Sequence, residues 1–432
     1  MAAVLRIPPS VLTPSESSAL AALSSLGRLW VTGGWVRDKV LAGTGVNPRG
    51  NSAWQELREL AGCPVGDLDV IVDGATANDF YKVCRLSTAL RSQLRAPPVF
   101  VPSKGTGRSP DTVKLRLGEY NVDVTSIIDA RTQLGLDLSC GSVTPSSMLE
   151  ADAEHRDTTF NALYYEPATG NVLDPCGKGV LDLKAGIVRN PHSEGAMASL
   201  REDPIRLLRA FRFAARFEFD IEDSLGDGLA DPAEYSELLR NVPHGRILYE
   251  VKKALLVHNR PNAFLSMLSG SCEVHRWLFG AAGDAFLNTW PAAVGRVKRV
   301  EALMMKGLQR GVLTSRSAFW RGRKLDGPPA ALLASDWRKM GVGENDWAEL
   351  LLAALFWRCD SSELQLVGEQ IKLSKTMIEN IAHLQTEARQ GLLSSQTASP
   401  GVHLLRAAVA GEAVFSPTKF WDAWPCGTVT AE

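Results

Sequence analysis

Asp67-Leu68-Asp69-Val70-Ile71-Val72 has the apolar density and the alternation of a β-strand. Side chains on a strand alternate faces, so Leu68, Val70 and Val72 point into a core while Asp67 and Asp69 share the other face. Two carboxylates side by side repel unless a cation lies between them, and Mg2+ takes a couple of carboxylates together with phosphate oxygens. Downstream, Asn121-Val122-Asp123-Val124 repeats the alternation, burying Val122 and Val124 and presenting Asp123. If this strand neighbours the first, a third carboxylate reaches the same ions. Three carboxylates holding two Mg2+ about 4 Å apart suit in-line phosphoryl or nucleotidyl displacement. By itself a D-x-D is more often the charged edge of a sheet.

What lies upstream shifts that balance. Gly33-Gly34-Trp35-Val36-Arg37-Asp38 follows an apolar strand and opens a helix whose buried stripe is Val36, Val40 and Leu41. Glycines there let backbone N–H groups approach a triphosphate, and a helix N-terminus favours that anion. Arg37, one turn in, is placed to fork onto phosphate oxygens. A Gly-Gly pair alone requires only a turn; a phosphate cradle just ahead of a metal-binding D-x-D is much rarer by chance.

The chain of 432 residues is long enough for two to four domains with a sizeable core. With 45% apolar and 22% charged residues it reads as a soluble globular protein, and no apolar run nears the roughly 20 residues that span a bilayer. The net charge of −1 gives no sign of a nucleic-acid partner, yet residues 296–324 carry nine Lys/Arg against one acid, Glu301. Such a stretch neutralises several phosphates or is simply a solvated basic helix face. Seven scattered cysteines with no C-x-x-C pair point to reduced thiols, without a disulfide framework or structural zinc. No secretory leader precedes the head, so the expected compartment is cytoplasmic and/or nuclear; Arg6 and the serines near it leave a mitochondrial copy open.

Residues 1–28 read as a loose lead-in and first helix, punctuated by Pro8, Pro9 and Pro14. A head follows over 29–192, with strands at 29–32, 67–72 and 120–127, an insertion at 44–66 and a flexible loop at 129–147. Helical periodicity then takes over, in a neck at 193–260 and a body and tail at 261–432, where 247–257, 300–308, 347–357 and 364–384 are helical in period. Strands first and helices after, with no alternating βα array, mean an α+β head and an all-α remainder. At the neck, Arg201-Glu202-Asp203-Pro204-Ile205-Arg206-Leu207-Leu208-Arg209 reads as one helix start with Pro204 in its first turn. Asp203 and Arg206, three apart on one face, offer an acceptor and a fork of donors to the edge of cytosine or adenine, or form an ordinary surface ion pair.

In order, these segments resemble the class II tRNA nucleotidyltransferase/poly(A) polymerase family. The motifs stand as GGWVRDKVLAG, DLD, NVDVTS, EADAEHRDTTFNALYY, DPCGKGVLDLKAGIVR and REDPIRLLRAFRFAARF, over roughly residues 29–260, and look most like those of eukaryotic CCA-adding enzymes. The resemblance implies a polymerase-β-like head with a small mixed sheet and helices, and helical neck, body and tail. It implies template-independent addition of CCA to tRNA from CTP and ATP, with two Mg2+ held by Asp67, Asp69 and Asp123. Gly33, Gly34 and Arg37 would meet the triphosphate, and Arg156, Asp157 and Asn161 the ribose and phosphates. Glu202 would orient Arg206, Asp203 and Arg206 would pair with the base, and Arg209 would support nucleotide binding. Gly177, Gly179 and Gly186 would suit a hinge. The tail would hold the acceptor and TΨC arms, with Arg296, Lys298, Arg299, Arg321, Arg323 and Lys324 as contacts, the enzyme acting as a monomer or weak dimer away from membranes.

Two features depart from the family pattern. The insertion 44–66 separates the glycine turn from D-x-D, and His155 stands where most members carry an arginine, which would weaken a phosphate contact. A bacterial-type poly(A) polymerase would carry a Gly-Arg-Arg-Phe-type motif soon after D-x-D, and residues 90–114 have none. A CC-only or A-only enzyme differs by nothing these motifs record. A non-catalytic RNA binder would have little need of three carboxylates, and a small-molecule nucleotidyltransferase would lack the base-reading helix.

Overall fold

Leu68, Val70 and Val72 are buried while Asp67 and Asp69 face outward, as alternation requires. Ile71 is buried as well, because beyond Asp69 the outer face is covered: Ile71 packs with Trp30, Met148, Leu149 and Tyr164. The computed structural model describes residues 3–44, 67–103, 111–126, 145–226, 231–257, 260–270, 274–309, 344–371, 373–390, 400–409 and 416–418.

Among them one mixed sheet organises the head. Strands β1 (Ala3–Arg6), β2 (Leu29–Thr32), β3 (Asp67–Val72), β4 (Val99–Val101), β5 (Thr112–Leu117), β6 (Tyr120–Ser126), β7 (Tyr164–Glu166) and β8 (Asn171–Leu173) stand in the order β1-β8-β7-β2-β3-β6-β5-β4. β3 and β6 run parallel; the other neighbours are antiparallel. Helices α1 (Pro14–Ser24), α2 (Gly34–Thr44), α3 (Ala77–Leu86), α4 (Pro145–Glu154), α5 (Gly179–Ala185), α6 (Ala196–Glu202) and α7 (Ile205–Phe217) are the longer helices of this part of the chain.

The lead-in is not loose. β1 extends the sheet along β8, and α1 opens with a capping box in which Thr13 and Glu16 each take the other's backbone N–H. Pro9 and Pro14 occupy first-turn positions, where a missing N–H costs nothing, so the prolines punctuate structure and do not prevent it. The wholly buried Glu16 also accepts from Trp35 Nε1 at 2.9 Å and Lys39 Nζ at 2.7 Å, tying α1 to α2. Beyond Thr44 the insertion 44–66 lies outside the described residues, as does the loop 129–147 up to residue 144; Pro145 already opens α4.

Two compact units divide the chain, Met1–Leu225 and Gly226–Glu432. The boundary falls inside the stretch read as a neck, so α6 and α7 belong with the sheet. An aromatic cluster explains the attachment: Phe160 meets Phe213, Phe217 and Phe219 edge to face at 5.8, 6.3 and 6.2 Å. The second unit is helical throughout its described residues, with Trp290–Gln309, Glu344–Leu355, Ser361–Gln370, Lys375–Arg389 and Pro400–Val409 as its longer helices. The periodic run 364–384 is two helices, because Ser374 caps the second by accepting from Met377 N–H at 3.2 Å.

Candidate active site

The parallel register sets Asp67 opposite Asn121 and Asp69 opposite Asp123. Asn121 Nδ2 donates to Asp67 Oδ1 at 3.2 Å, and Lys114, paired with Asp123 from β5, places Nζ 2.7 Å from Asp123 Oδ2. Asp69 reaches solvent but is closely surrounded by protein. Partial burial lifts its carboxyl above the usual carboxylate range, Arg156 pulls the other way, and the charges of Asp123 and Asp67 push it up further. Asp69 and Asp123 thus pair across β3 and β6 with Asp67 two residues away on the same strand, and Lys114 supplies a positive charge at Asp123. The all-oxygen donor set fits a hard divalent ion such as Mg2+.

Gly33 closes on this cluster. Its φ of 76° is left-handed, and a β-carbon there would lie 2.9 Å from Asp69 Oδ2. Gly34 makes room for a different neighbour: a β-carbon would lie 3.3 Å from Arg37 NH2. Arg37 itself is 3% exposed. Its Nε and NH2 contact Asp38 Oδ1 at 2.8 and 2.7 Å, NH1 donates to Asn161 Oδ1 at 2.8 Å, and its guanidinium stacks 5.2 and 4.9 Å from the rings of Phe213 and Phe217. These contacts use the guanidinium expected at the triphosphate to dock α7 on the head.

The dock continues through Asp157. Its Oδ1 accepts from Asn161 Nδ2 at 3.0 Å, and its Oδ2 from Arg209 Nε and NH2 at 2.7 and 2.6 Å. Burial alone would raise this carboxyl, but Arg209, Asn161 and Arg212 hold it far below the usual range. Arg156 is anchored by Asp152, whose Oδ2 receives its Nε and NH2 at 3.0 and 2.8 Å, and its charge reaches Asp69. The segment 156–161 thus links the carboxylate cluster to the neck by charge-assisted bonds.

At the neck the expected single helix start is a junction. α6 ends at Glu202, Asp203 is extended (φ −148°, ψ 98°), and α7 begins at Ile205. Asp203 and Arg206 therefore do not share a helix face; the junction turns between them, and Arg206 N–H donates to Asp203 O at 3.1 Å. Arg206 is closely held: NH1 reaches Ser199 Oγ at 2.6 Å and Glu202 Oε2 at 2.8 Å, and NH2 reaches His155 O at 2.6 Å. The His155 ring turns to Glu202, with Nδ1 2.8 Å from Oε1. Glu202 would be raised by burial, yet His155 and Arg206 lower it. Sequence reasoning missed Ser199, His192 and Lys114. Only Lys114 left a signal, as the charge alternating with Val113 and Leu115.

Of the family's glycines, Gly179 is needed for packing: a β-carbon would lie 2.6 Å from Thr159 O and 2.9 Å from Leu163 Cδ2. In the second unit Arg296 is buried, its Nε and NH2 donating to Ala354 O at 2.8 Å and Leu355 O at 3.2 Å, and Arg299 bonds Ala408 O. Burial and the like charges of Arg358 and Arg299 pull Arg296 down to about 10. Both side chains, expected at tRNA, reach carbonyls at the ends of other helices, Arg296 buried and Arg299 half-buried. Lys298 is exposed; Arg321, Arg323 and Lys324 lie outside the described residues.

A poly(A) polymerase head domain matches residues 29–189, the segment that holds every carboxylate of the cluster. The tRNA nucleotidyltransferase cca2 of Schizosaccharomyces pombe is 30% identical over 248 residues, 56% of this chain and 45% of that protein. The mitochondrial CCA tRNA nucleotidyltransferase of Saccharomyces cerevisiae is 29% identical over 241 residues, 53% of this chain and 38% of that protein. The chain thus spans less than half the length of these two curated relatives. Among solved structures, a CCA-adding enzyme with ATP superposes with a TM-score of 0.58 at 18% identity, covering 98% of this chain and 84% of that one. A tRNA nucleotidyltransferase complexed with a primer tRNA and an incoming ATP analog gives 0.56 at 19%, covering 94% and 96%. At those identities the likeness is one of fold.

Proposed function

We propose that this chain is a template-independent RNA nucleotidyltransferase that builds the CCA end of tRNA from CTP and ATP, acting as a monomer or weak dimer. The observation that carries the reading is Asp69 lying opposite Asp123 in parallel register, with Gly33 closing over Asp69. Asp67, Asp69 and Asp123 would hold two Mg2+, which supply charge neutralisation at the reacting phosphate and acidify the primer 3′-hydroxyl. The residues do the rest by position. The turn at Gly33 and Gly34 would offer backbone N–H groups to the triphosphate, and Arg156, anchored on Asp152, would add positive charge beside Asp69. Asp123 accepts the hydrogen bond of the primer hydroxyl once Lys114 gives way. The hydroxyl oxygen bonds to the α-phosphorus, the bond to the β-phosphate oxygen breaks, and pyrophosphate leaves.

Asp203 and Arg206 would read the base. Glu202, Ser199 and the His155 carbonyl fix the Arg206 fork, and Asp203 sits in extended backbone at the junction just ahead of α7. The relatives' names support tRNA as the primer, and two relatives described as mitochondrial support a mitochondrial copy beside a cytoplasmic or nuclear one. No helix among the described residues is long and apolar enough to cross a membrane.

The test offers CTP, ATP, GTP and UTP separately, with Mg2+, to tRNA transcripts ending at the discriminator base, at C and at CC. The expected result is C on the first two primers, A on the third alone, and no use of G or U. Long A tails on any RNA would replace this reading with a poly(A) polymerase, and a stop at CC or A on CC alone with a partial enzyme. Asp203→Ala should blur the choice between C and A while incorporation continues; unchanged selectivity would reject the base-reading role.

A further inference from the structure

Away from the three aspartates, a second group of donors meets around one oxygen. His155 Nδ1 lies 2.8 Å and His192 Nε2 3.4 Å from Glu202 Oε1, and the two rings meet edge to face with centroids 5.9 Å apart. One donor atom from each of the three residues falls within 4.8 Å of the other two. Bonds of about 2.0–2.1 Å in a tetrahedral site separate neighbouring ligand atoms by about 3.3 Å, so small side-chain shifts bring this trio to coordination distance. The residues come from separate places: the end of α4, the turn before α6 and the last residue of α6.

We propose that His155, His192 and Glu202 form a binding site for a borderline divalent transition ion such as Zn2+, its fourth position left to water. Two imidazoles and one carboxylate select zinc over magnesium, which distinguishes this site from the all-oxygen cluster at Asp67, Asp69 and Asp123. The surroundings suit a ligand set. Glu202 Oε2 already receives Arg206 NH1 at 2.8 Å, so an outer partner orients the carboxylate and leaves Oε1 toward the histidines. Glu154, itself bonded by Ser193 N–H at 3.0 Å, adds negative charge beside both rings. The His155 and Glu202 side chains are 36% and 34% exposed, so an ion can enter from their side, while the His192 side chain is 9% exposed.

Two ring protons must move, the first from His155 Nδ1, which donates to Glu202 Oε1 at 2.8 Å, to its Nε2. His192 Nδ1 accepts from Glu194 N–H at 3.2 Å, which places the ring proton on Nε2. Coordination through Nε2 moves that proton to Nδ1 and turns the exposed Glu194 amide to water. Both imidazoles must be neutral, so binding weakens in acid. The site does not rest on the proposed activity, since the donors converge whatever Arg206 reads.

The full chain, held in millimolar Mg2+ to occupy the aspartates, is titrated with Zn2+ by calorimetry. The expected result is about one equivalent more zinc for the wild type than for His155→Gln or His192→Gln, each checked for folding by far-UV circular dichroism. Glutamine keeps a hydrogen bond to Glu202 but is a poor zinc ligand. In 15N-histidine-labelled wild type, Zn2+ should shift the ring signals of two histidines, a readout that needs no variant. Equal zinc uptake by folded variants, or ring signals unmoved by Zn2+, overturns the site.

Discussion

Gly33 shows how one hydrogen atom governs the geometry of a site. Its left-handed φ and the 2.9 Å approach to Asp69 leave no volume for a methyl group. Gly33→Ala should cost about 1–2 kcal/mol for the backbone alone, displace Asp69, and lower nucleotide incorporation far more than thermal stability; a melting curve beside a single-turnover assay separates the two. Asp69 should behave in the opposite sense. Its carboxyl is raised by burial and by Asp123 and Asp67, so its charged form opposes folding at neutral pH until a cation arrives. Without divalent ions Asp69→Asn should therefore melt higher than the wild type, and it should lose both activity and the stabilisation that Mg2+ confers. A lower melting point for Asp69→Asn in chelator would reject the account. Asp157 has a depressed carboxyl, which contributes stability above the ordinary carboxylate value of about 3.9 and loses it as pH falls toward the lower folded value. Asp157→Asn should flatten the acid limb of a stability profile below about pH 4, as measured by urea midpoints.

Helices and strands differ in how much of their placement the chain's pattern carries. Alternation identified β3 and β6 and the faces of their aspartates, because a buried face leaves a period of two. Pairing between them was legible only as a condition, since nothing in Asn121-Val122-Asp123-Val124 records which strand lies alongside. The junction at Asp203 escaped for a related reason: Pro204 suits a helix start, but whether a preceding helix ends there depends on packing against residues far away in sequence. The lead-in hid its order because Glu16 reads as a surface acid, whereas in the fold its partners Trp35 and Lys39 come from α2. With side chains 1% and 0% exposed, Lys39 and Glu16 form a buried pair at 2.7 Å. Glu16→Gln should destabilise by about 3–5 kcal/mol by removing the carboxylate that pairs with the buried lysine. Adding Lys39→Met should restore much of that loss, as a double-mutant cycle by urea denaturation would show. If the single substitution were silent, the pair would not be what anchors α1 to the phosphate-turn helix.

Across the whole molecule, charge counted along the chain overstates what a polyanion would meet. The run 296–324 holds nine basic residues, yet Arg296 is buried on the carbonyls of Ala354 and Leu355 and Arg299 reaches Ala408, all within Gly226–Glu432. An arginine on an amphipathic helix gives no sign in sequence of whether its fork faces water or the end of a neighbouring helix. Lys298, exposed between these two, is the one of the three free to meet a phosphate. Replacing each by alanine separates the roles. Arg296→Ala should lower the melting temperature, because two helix-terminal carbonyls lose a buried donor, at about 1–3 kcal/mol. It should leave the salt dependence of tRNA binding unchanged. Lys298→Ala should leave the melting temperature in place and reduce the slope of log K against log salt by about 1, the signature of one lost phosphate contact. A slope that fell for Arg296→Ala in folded protein would return that arginine to the RNA surface.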